Sequence, residues 1–124
     1  MRPHVRVLVA DDDTQLLSAV VEAFAHLGAD VTRATSGAEL IDALAAEGPF
    51  DLVVTDVSMP WMNGLRAIRT ARAAGIGTAV ILMTAMRDKS LEREVRALGR
   101  NAMLLRKPFA LADLESAAAQ VLPP

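Results

Sequence analysis

Acidic residues stand directly after two apolar segments of the chain, where carboxylates could bind a cation. Three consecutive aspartates, 11–13, follow the apolar run that begins at Val5, and Asp56 follows the run that begins at Phe50. Carboxylates a few ångströms apart repel one another, so either one is protonated or a cation neutralises them. A site whose ligands are all oxygens favours a hard ion such as Mg²⁺. These residues therefore predict a divalent-cation site if the fold brings them together.

Two further residues that follow apolar runs could act on a phosphoryl group. Thr84 comes after the run 79–83, and Lys107 comes shortly after the run 103–105. A hydroxyl can hydrogen-bond a phosphoryl oxygen, and an ammonium group neutralises its charge. A carboxylate can be the nucleophile, which produces an aspartyl phosphate.

Short apolar segments alternate with amphipathic segments along the chain. Gly28 follows the first amphipathic segment as a C-cap glycine would, and Ser36 and Glu39 fit a capping box before the second. Strands are predicted at residues 5–10, 29–34, 50–55, 79–83 and 103–105, and residues 56–63 are predicted as a loop. Helices are predicted around the apolar stripes of residues 16–27 and 40–44 and at residues 64–74, 88–98 and 111–122. Arg66, Arg69 and Arg72 recur at helical spacing, which predicts an exposed face of the third helix.

Five strands that alternate with five helices in 124 residues indicate one α/β domain over residues 1–124. Right-handed crossovers favour a flavodoxin-like, doubly wound (βα)5 fold whose five-stranded parallel sheet has the order 2-1-3-4-5. Functional residues of such sheets gather at the carboxyl ends of the strands. Asp11, Asp12 and Asp56 should then share one pocket, with Thr84 and Lys107 on its far side. Their formal charges, three negative and one positive, would be balanced by one Mg²⁺.

The composition excludes several kinds of chemistry. The chain has no cysteine, which excludes disulfides, thiolate zinc sites, iron–sulfur clusters and cysteine nucleophiles. The 13 Lys and Arg residues against 15 Asp and Glu residues give a net charge of −2, which argues against direct binding of nucleic acid. The longest uncharged run, residues 73–86, is too short to cross a bilayer. Because the N-terminal residues do not form a signal peptide, the sequence predicts a cytoplasmic protein that is not bound to a membrane.

The residues and their order resemble the receiver domains of two-component response regulators. The matching segments are VLVADDD at 7–13, DLVVTDVSMPWMNG at 51–64, VILMTA at 80–85 and KPF at 107–109. Each segment alone is weak, but all four in order at the ends of predicted strands are highly specific. The similarity covers essentially the whole chain.

The resemblance implies a role for three residues in phosphoryl transfer. Asp56 would be the phosphoacceptor, Thr84 would turn toward the phosphoryl group, and Lys107 would form an ion pair with it. The peptide bond between Lys107 and Pro108 is expected to be cis. The domain would be a signalling module rather than an enzyme, although it would assist its own phosphorylation and autodephosphorylation.

The resemblance also implies how the metal is held. Asp12 would bind Mg²⁺ directly and Asp11 mainly through water, while Asp56 and the backbone carbonyl of Ser58 would be further ligands. Mn²⁺ is the expected substitute for Mg²⁺.

The implied partners are a phosphoryl donor and an output. The donor would be a phosphohistidine on a sensor histidine kinase or a histidine phosphotransfer protein. Phosphorylation would alter the face formed by the fourth helix, fifth strand and fifth helix, where an output domain, another partner or a second copy of the chain is expected. One departure from the family lies in this strand, since Leu104 occupies a position that is often aromatic.

Two other functions are compatible with parts of the pattern. Asp11 and Asp13 fit the D-x-D motif of haloacid-dehalogenase-like phosphatases, in which Asp11 would be the nucleophile. Against this alternative, position 15 is Gln15 where that motif expects threonine or valine. A receiver-like scaffold that binds partners without phosphorylation is the second alternative. The residue that carries the phosphoryl group distinguishes the three: Asp56, Asp11 or none.

Overall fold

Strands and helices alternate along the chain in the computed structural model, which describes residues 4–59 and 62–123. The strands are β1 (Arg6–Ala10), β2 (Asp30–Ala34), β3 (Leu52–Asp56), β4 (Ser58–Met59), β5 (Met62–Asn63), β6 (Ala79–Thr84) and β7 (Ala102–Arg106). The helices are α1 (Thr14–His26), α2 (Gly37–Ala46), α3 (Gly64–Ala73), α4 (Ser90–Arg96) and α5 (Leu111–Val121). In this described part of the chain, no helix combines the length and apolarity that a bilayer span requires.

Five of the strands form one parallel sheet in the order β2-β1-β3-β6-β7. When the short strands β4 and β5 are left out of the count, this is the predicted order 2-1-3-4-5, so the flavodoxin-like α/β fold is confirmed. Ala10 of β1 pairs with Thr55 of β3, and Asp56 pairs with Met83 of β6. The carboxyl ends of the three central strands therefore lie together at one edge of the sheet.

The segment predicted as a loop, residues 56–63, contains a short antiparallel pair of strands. Strand β4 pairs with β5 through Ser58 with Asn63 and Met59 with Met62. The loop prediction was wrong here because strands of two residues are too short to show an alternating pattern. Residues 60–61, between the two strands, lie outside the described residues.

Helices cover both faces of the sheet and form two separate cores. Leu8 and Ala10 of β1 face a core with α2, α3 and α4, whereas Val7 and Val9 face a core with α1 and α5. Strands β3 and β6 are buried along their whole length. Strands covered on both sides have no polar face, which is why their sequences are continuous apolar runs. The strand ends remain as the edge where polar side chains can meet.

Helix α2 begins at a capped turn that differs in one contact from the predicted capping box. The Glu39 N–H donates a hydrogen bond of 3.1 Å to the Ser36 hydroxyl, as expected. The Glu39 carboxylate, however, accepts from the N–H and hydroxyl of Thr35, one residue before the cap, over 2.9 and 3.0 Å. Hydrogen bonds of the side chains before, at and after the N-cap residue therefore hold the turn between β2 and α2.

We expect Ser36→Ala to lower the free energy of unfolding by about 1 kcal/mol, because the first turn of α2 loses its side-chain acceptor. Ser36→Asp keeps an acceptor in the same place and should cost less. Urea denaturation followed by circular dichroism measures both values. An equal loss in the two variants would show that Ser36 stabilises the chain by something other than capping.

Candidate functional site

Three carboxylates from two neighbouring strands meet at the carboxyl edge of the sheet. Asp11 and Asp12 directly follow β1, and Asp56 ends β3, the neighbour of β1. One oxygen from each of the three lies within 4.8 Å of the others. Asp11 and Asp56 are buried, while Asp12 is exposed to solvent. The structure thus brings together the three acids that the sequence predicts in one pocket.

Asp11 is fixed by partners on both carboxylate oxygens. The Asp13 N–H donates to Oδ1 over 2.9 Å, and Lys107 Nζ donates to Oδ2 over 3.0 Å. Asp13 also caps α1, because its carboxylate accepts from the N–H groups of Gln15 and Leu16. The side chain of Asp11 is fully buried. Its carboxylate therefore has a fixed position and no face open to an incoming group.

Lys107 directly follows β7, and its side chain extends into the pocket of carboxylates. Its N–H donates to the Thr84 carbonyl over 2.7 Å, and its Nζ lies 3.0 Å from Asp11 Oδ2 and 3.4 Å from Asp56 Oδ2. Burial alone would lower the pKa of the Lys107 ammonium, but the hydrogen bond and charge of Asp11, with the charge of Asp56, outweigh burial and raise this pKa. Lys107 is therefore a fixed positive charge between two carboxylates. The bond from Lys107 to Pro108 is cis, as expected.

Of the two buried carboxylates, Asp56 has longer contacts than Asp11 with the groups that offset its negative charge. Burial raises the pKa of Asp56, and the charge of Asp11 raises it further, while Lys107 and the Ser58 N–H act in the opposite direction. These two contacts are long, at 3.4 Å from Lys107 and 3.3 Å from the Ser58 N–H. The Asp56 side chain is 10% exposed, in contrast to the closed position of Asp11. Asp56 is thus within reach of a group that enters from solvent.

The other two predicted site residues, Thr84 and Ser58, lie at the same edge of the sheet as Asp56. Ser58 begins β4 two residues after Asp56. Asp56 pairs with Met83, so Thr84 extends one residue further toward the same edge. Thr84 is buried, and its hydroxyl oxygen accepts the Met86 N–H over 2.9 Å. Because a hydroxyl that accepts one bond can still donate its own proton, Thr84 can serve a second partner.

The family model of the response regulator receiver domain matches residues 7–119. The chain belongs to this family. The receiver domain is 39% identical over 111 residues to the response regulator MprA of Mycolicibacterium vanbaalenii and 38% identical to MprA of Mycobacterium tuberculosis. Each alignment covers 89% of this chain and 47% of the relative. The receiver domain thus spans about half the length of these curated relatives.

Solved structures of receiver domains have the same fold. The receiver domain of the Francisella response regulator 1452 superposes with a TM-score of 0.85 at 28% identity, over 95% of this chain and 96% of that one. The chemotaxis response regulator CheY4 of Vibrio cholerae gives a TM-score of 0.83 at 28% identity, over 96% and 99% of the two chains. Membership in this family favours a receiver domain over a haloacid-dehalogenase-like phosphatase.

Gly64 lies next to the candidate site, although the sequence assigns it no role beyond the end of the matching segment 51–64 and the start of a helix. A Cβ atom at this position would overlap the Asp56 carbonyl oxygen and lie 2.9 Å from Thr55 Oγ1. The Gly64 N–H also donates to the Val57 carbonyl over 2.7 Å. The first residue of α3 therefore packs directly on the backbone that carries Asp56. The signals in the sequence are a glycine at the N-terminus of a predicted helix and its place at the end of the matching segment 51–64.

One arginine of α3 does not lie on the exposed face that the spacing predicts. Arg66 and Arg69 are exposed, but Arg72 donates through Nη2 to the Thr78 carbonyl over 2.9 Å and to Asn101 Oδ1 over 3.0 Å. The prediction was wrong for Arg72 because spacing along a helix does not show that two other segments pass beside its last turn.

Proposed function

We propose that the whole chain, residues 1–124, is a phosphorylatable switch that accepts a phosphoryl group on Asp56. The donor is a phosphohistidine on a sensor histidine kinase or a histidine phosphotransfer protein. The observation that supports this proposal is the arrangement of the buried carboxylates, in which Lys107 lies between Asp11 and Asp56 and only Asp56 is open to solvent. An anionic pocket in which one of the two buried carboxylates is reachable beside a fixed ammonium suits the capture of a phosphoryl group.

The proposed transfer forms one bond and breaks one. A carboxylate oxygen of Asp56 attacks phosphorus, the bond between phosphorus and the donor imidazole nitrogen breaks, and the imidazole leaves with the electron pair. The product is a mixed anhydride on Asp56. Hydrolysis of this anhydride by water returns the carboxylate and releases inorganic phosphate, which is the autodephosphorylation that ends the signal.

Asp56 suits the role of nucleophile better than Asp11 does. Both oxygens of Asp11 are bound, at 2.9 Å by the Asp13 N–H and at 3.0 Å by Lys107, and the side chain is closed to solvent. An in-line attack needs an oxygen that faces the incoming phosphorus. Asp56 has longer contacts and an exposed fraction of 10%. Asp11 therefore orients Lys107 while Asp56 reacts.

Lys107 and Thr84 stabilise the charge that the phosphoryl group brings. A phosphorylated aspartate carries roughly one more negative charge than the carboxylate that it replaces. Lys107 Nζ lies 3.4 Å from Asp56 Oδ2, where it can form an ion pair with a phosphoryl oxygen. The Thr84 hydroxyl can donate its proton to another of these oxygens. The loops that follow β3 and β6 are thereby biased toward a new arrangement.

The acidic residues fit a hard divalent cation, for which we propose Mg²⁺, with Mn²⁺ as its substitute. Asp11, Asp12 and Asp56 offer only oxygen atoms, within 4.8 Å of one another, and Lys107 offsets one of their three negative charges. Asp12 and Asp56 would hold the ion with the carbonyl of Ser58, and Asp11 would hold it mainly through water. When bound, such an ion neutralises charge on the carboxylates and on the transferred oxygens.

We expect Mg²⁺ to raise the melting temperature of the receiver domain, because an ion bound only to the folded state stabilises it. Asp12→Asn should shift the half-maximal effect to an about tenfold higher Mg²⁺ concentration, since one ligand charge is lost. Differential scanning fluorimetry over a Mg²⁺ titration gives both curves. Asp42→Asn makes the same change at an exposed position of α2 and should leave the curve unchanged. If both variants shift equally, Asp12 is not a ligand.

Phosphorylation by small donors tests the proposed function directly. The chain is incubated with Mg²⁺ and acetyl phosphate, or amido phosphate as a second donor, and its intact mass is measured. Borohydride then reduces an aspartyl phosphate to homoserine, which peptide mass mapping locates. We expect one phosphoryl group, located on Asp56. Label on Asp11 would favour the phosphatase alternative, and no added mass with either donor would favour the scaffold.

The output of the switch is proposed to lie on the face formed by α4, β7 and α5. The curated relatives are about twice as long as this receiver domain, which supports an output domain as one partner for that face. A separate protein or a second copy of the chain are the others. The cytoplasm, where donor kinases place their phosphohistidine, is the proposed site of action.

A further inference from the structure

Strand β7 lacks an aromatic side chain at the position where many receiver domains have one. The residue there is Leu104, which is half-buried and packs against the core that contains Leu91 and Val95 of α4. An aliphatic side chain in this core offers no hydrogen bond to the segment that follows Thr84. Another residue of β7, Arg106, does contact that segment.

Both backbone polar groups of Met86 are bound, one by the phosphorylation site and one by Arg106. The Met86 N–H donates to Thr84 Oγ1 over 2.9 Å. The Met86 carbonyl accepts from Arg106 Nη1 over 2.6 Å. Thr84 and Arg106 are partners in the register of β6 and β7. The short segment after β6 is therefore held between the hydroxyl of Thr84 and the guanidinium of Arg106.

The same guanidinium continues the connection into α4. Arg106 Nη2 donates to Glu92 Oε1 over 3.2 Å, in the first turn of that helix. Helix α4 spans only seven residues; Lys89 at its N-cap position makes no capping hydrogen bond, and the Ser90 N–H donates to Asp88 Oδ1 over 2.9 Å. The Arg106–Glu92 pair is partly exposed and contributes little stability by itself. Its effect is geometric, because it fixes the start of α4 relative to Met86.

We propose that Arg106 is a positioning residue that couples the Thr84 hydroxyl to α4 through the Met86 carbonyl and the Glu92 carboxylate. The inference rests on the proposed function, since the coupling transmits a signal only if Thr84 responds to a phosphoryl group. When Thr84 turns to such a group, its bond from the Met86 N–H weakens and Met86 moves. Arg106, bound to the carbonyl of the same residue, passes this movement to Glu92 and α4.

Amide hydrogen exchange in the unmodified chain tests the connection without any phosphoryl group. We expect Arg106→Ala to increase the NMR-measured exchange rate of the Met86 amide about tenfold, as for the loss of one hydrogen bond from a charged donor. Arg106→Lys keeps the charge but places its donors on a single nitrogen, which lacks the planar fork that reaches the Met86 carbonyl and Glu92 through separate Nη atoms, so its rate should be intermediate. Arg96→Ala removes an exposed arginine of α4 and serves as the control. Exchange at Met86 that is as slow in Arg106→Ala as in the wild type would overturn the proposal, whatever the chain does with phosphoryl groups.

The response to phosphorylation is tested with Mg²⁺ and beryllofluoride, a phosphoryl mimic that needs no turnover. In the wild type we expect shifts of the amide resonances of Thr84, Met86 and α4. In Arg106→Ala the shift at Thr84 should remain, while those in α4 fall by about half or more, because coupling needs a contact that differs between the states. Glu92→Ala removes the acceptor on α4 and should reduce the shifts in α4 by the same amount. This variant tests the proposal even if Arg106→Ala fails to fold. Shifts in α4 of either variant that are as large as in the wild type would overturn the proposal. If the wild type takes up neither the phosphoryl group of acetyl phosphate nor beryllofluoride, the result counts against the proposed function instead.

Discussion

Asp56→Asn should abolish phosphoryl uptake by the receiver domain and, in metal-free buffer, raise its melting temperature. The amide fills nearly the same volume but is a poor nucleophile, so no mixed anhydride forms. The variant also removes one negative charge from a trio of carboxylates within 4.8 Å of one another. Burial and the charge of Asp11 raise the pKa of Asp56 in the folded chain. Its ionised form therefore costs folding free energy at neutral pH, and asparagine removes this cost.

The direction of the pKa shift also predicts how the stability gain depends on pH. Folded Asp56 keeps its proton at pH values where unfolded Asp56 has lost it, so the stability of the wild type falls as pH rises through this interval. Below the ordinary aspartate pKa of about 4, both states are protonated and the variant should have no advantage. Above the raised pKa the gain should be complete.

Mass spectrometry with acetyl phosphate and thermal melts in a chelator measure the two effects of Asp56→Asn. Asp42→Asn again provides the matched control, because its carboxylate is exposed on α2, and it should change neither uptake nor melting temperature. Phosphoryl uptake by the asparagine variant would remove Asp56 from the proposed chemistry. A lower melting temperature would show that its contact with Lys107 outweighs the repulsion within the trio.

Gly64→Ala should produce the largest loss of stability among single methyl additions to the described glycines. The added Cβ would overlap the Asp56 carbonyl oxygen and lie 3.1 Å from the carbonyl carbon and 2.9 Å from Thr55 Oγ1. The overlap is with backbone of the central strand β3, which is buried along its length and cannot shift cheaply. We expect the free energy of unfolding to fall by about 3 kcal/mol, the upper end for overpacking.

A second glycine gives the control for Gly64→Ala. Gly77 has open space around the position of a Cβ, so Gly77→Ala should change the free energy of unfolding by no more than about 0.5 kcal/mol. Urea denaturation of both variants gives the comparison. Because the clash lies on the backbone of Asp56, Gly64→Ala should also slow phosphoryl uptake in the fraction that stays folded. A loss no larger than that of Gly77→Ala would mean that α3 moves freely relative to β3.

The sequence predicted the topology and the meeting of the carboxylates for the same physical reason. Parallel strands buried on both faces are continuous apolar runs, and the residue after each run lies at one edge of the sheet. Asp11, Asp56 and Thr84 each end or follow such a run, so their convergence required only the strand order. Asp12 and Lys107 extend the same argument by one or two residues. The ends of α4 were predicted less accurately, as residues 88–98 against the observed Ser90–Arg96, because the helix is short.

Features that depend on a neighbour from elsewhere in the chain could not be predicted. Three such features are the overlap at Gly64, the hydrogen bonds of Arg72 with Thr78 and Asn101, and the contact of Arg106 with the Met86 carbonyl. Each depends on two segments that approach one another, and neither segment's sequence predicts that approach. The strand pattern by itself does not distinguish Asp11 from Asp56, and the family resemblance predicted Asp56 as the phosphoacceptor. The hydrogen bonds on Asp11 and the exposed fraction of Asp56 give a physical reason to expect the same residue.

Strand β3 is buried along all five of its residues. This burial bears on two lifetimes, that of the folded domain and that of a phosphoryl group on Asp56. Amide protons in the most deeply covered strand of a small domain exchange only when the whole domain unfolds, whereas exposed segments open far more often. Asp56 is the last residue of that strand, so the proposed phosphoacceptor rests on the part of the chain that we expect to open least often. If Asp56 is phosphorylated as proposed, we expect its acyl phosphate to form and hydrolyse through many cycles between two unfolding events. The chemistry of that bond, rather than unfolding of the domain, would then determine how long the signal lasts.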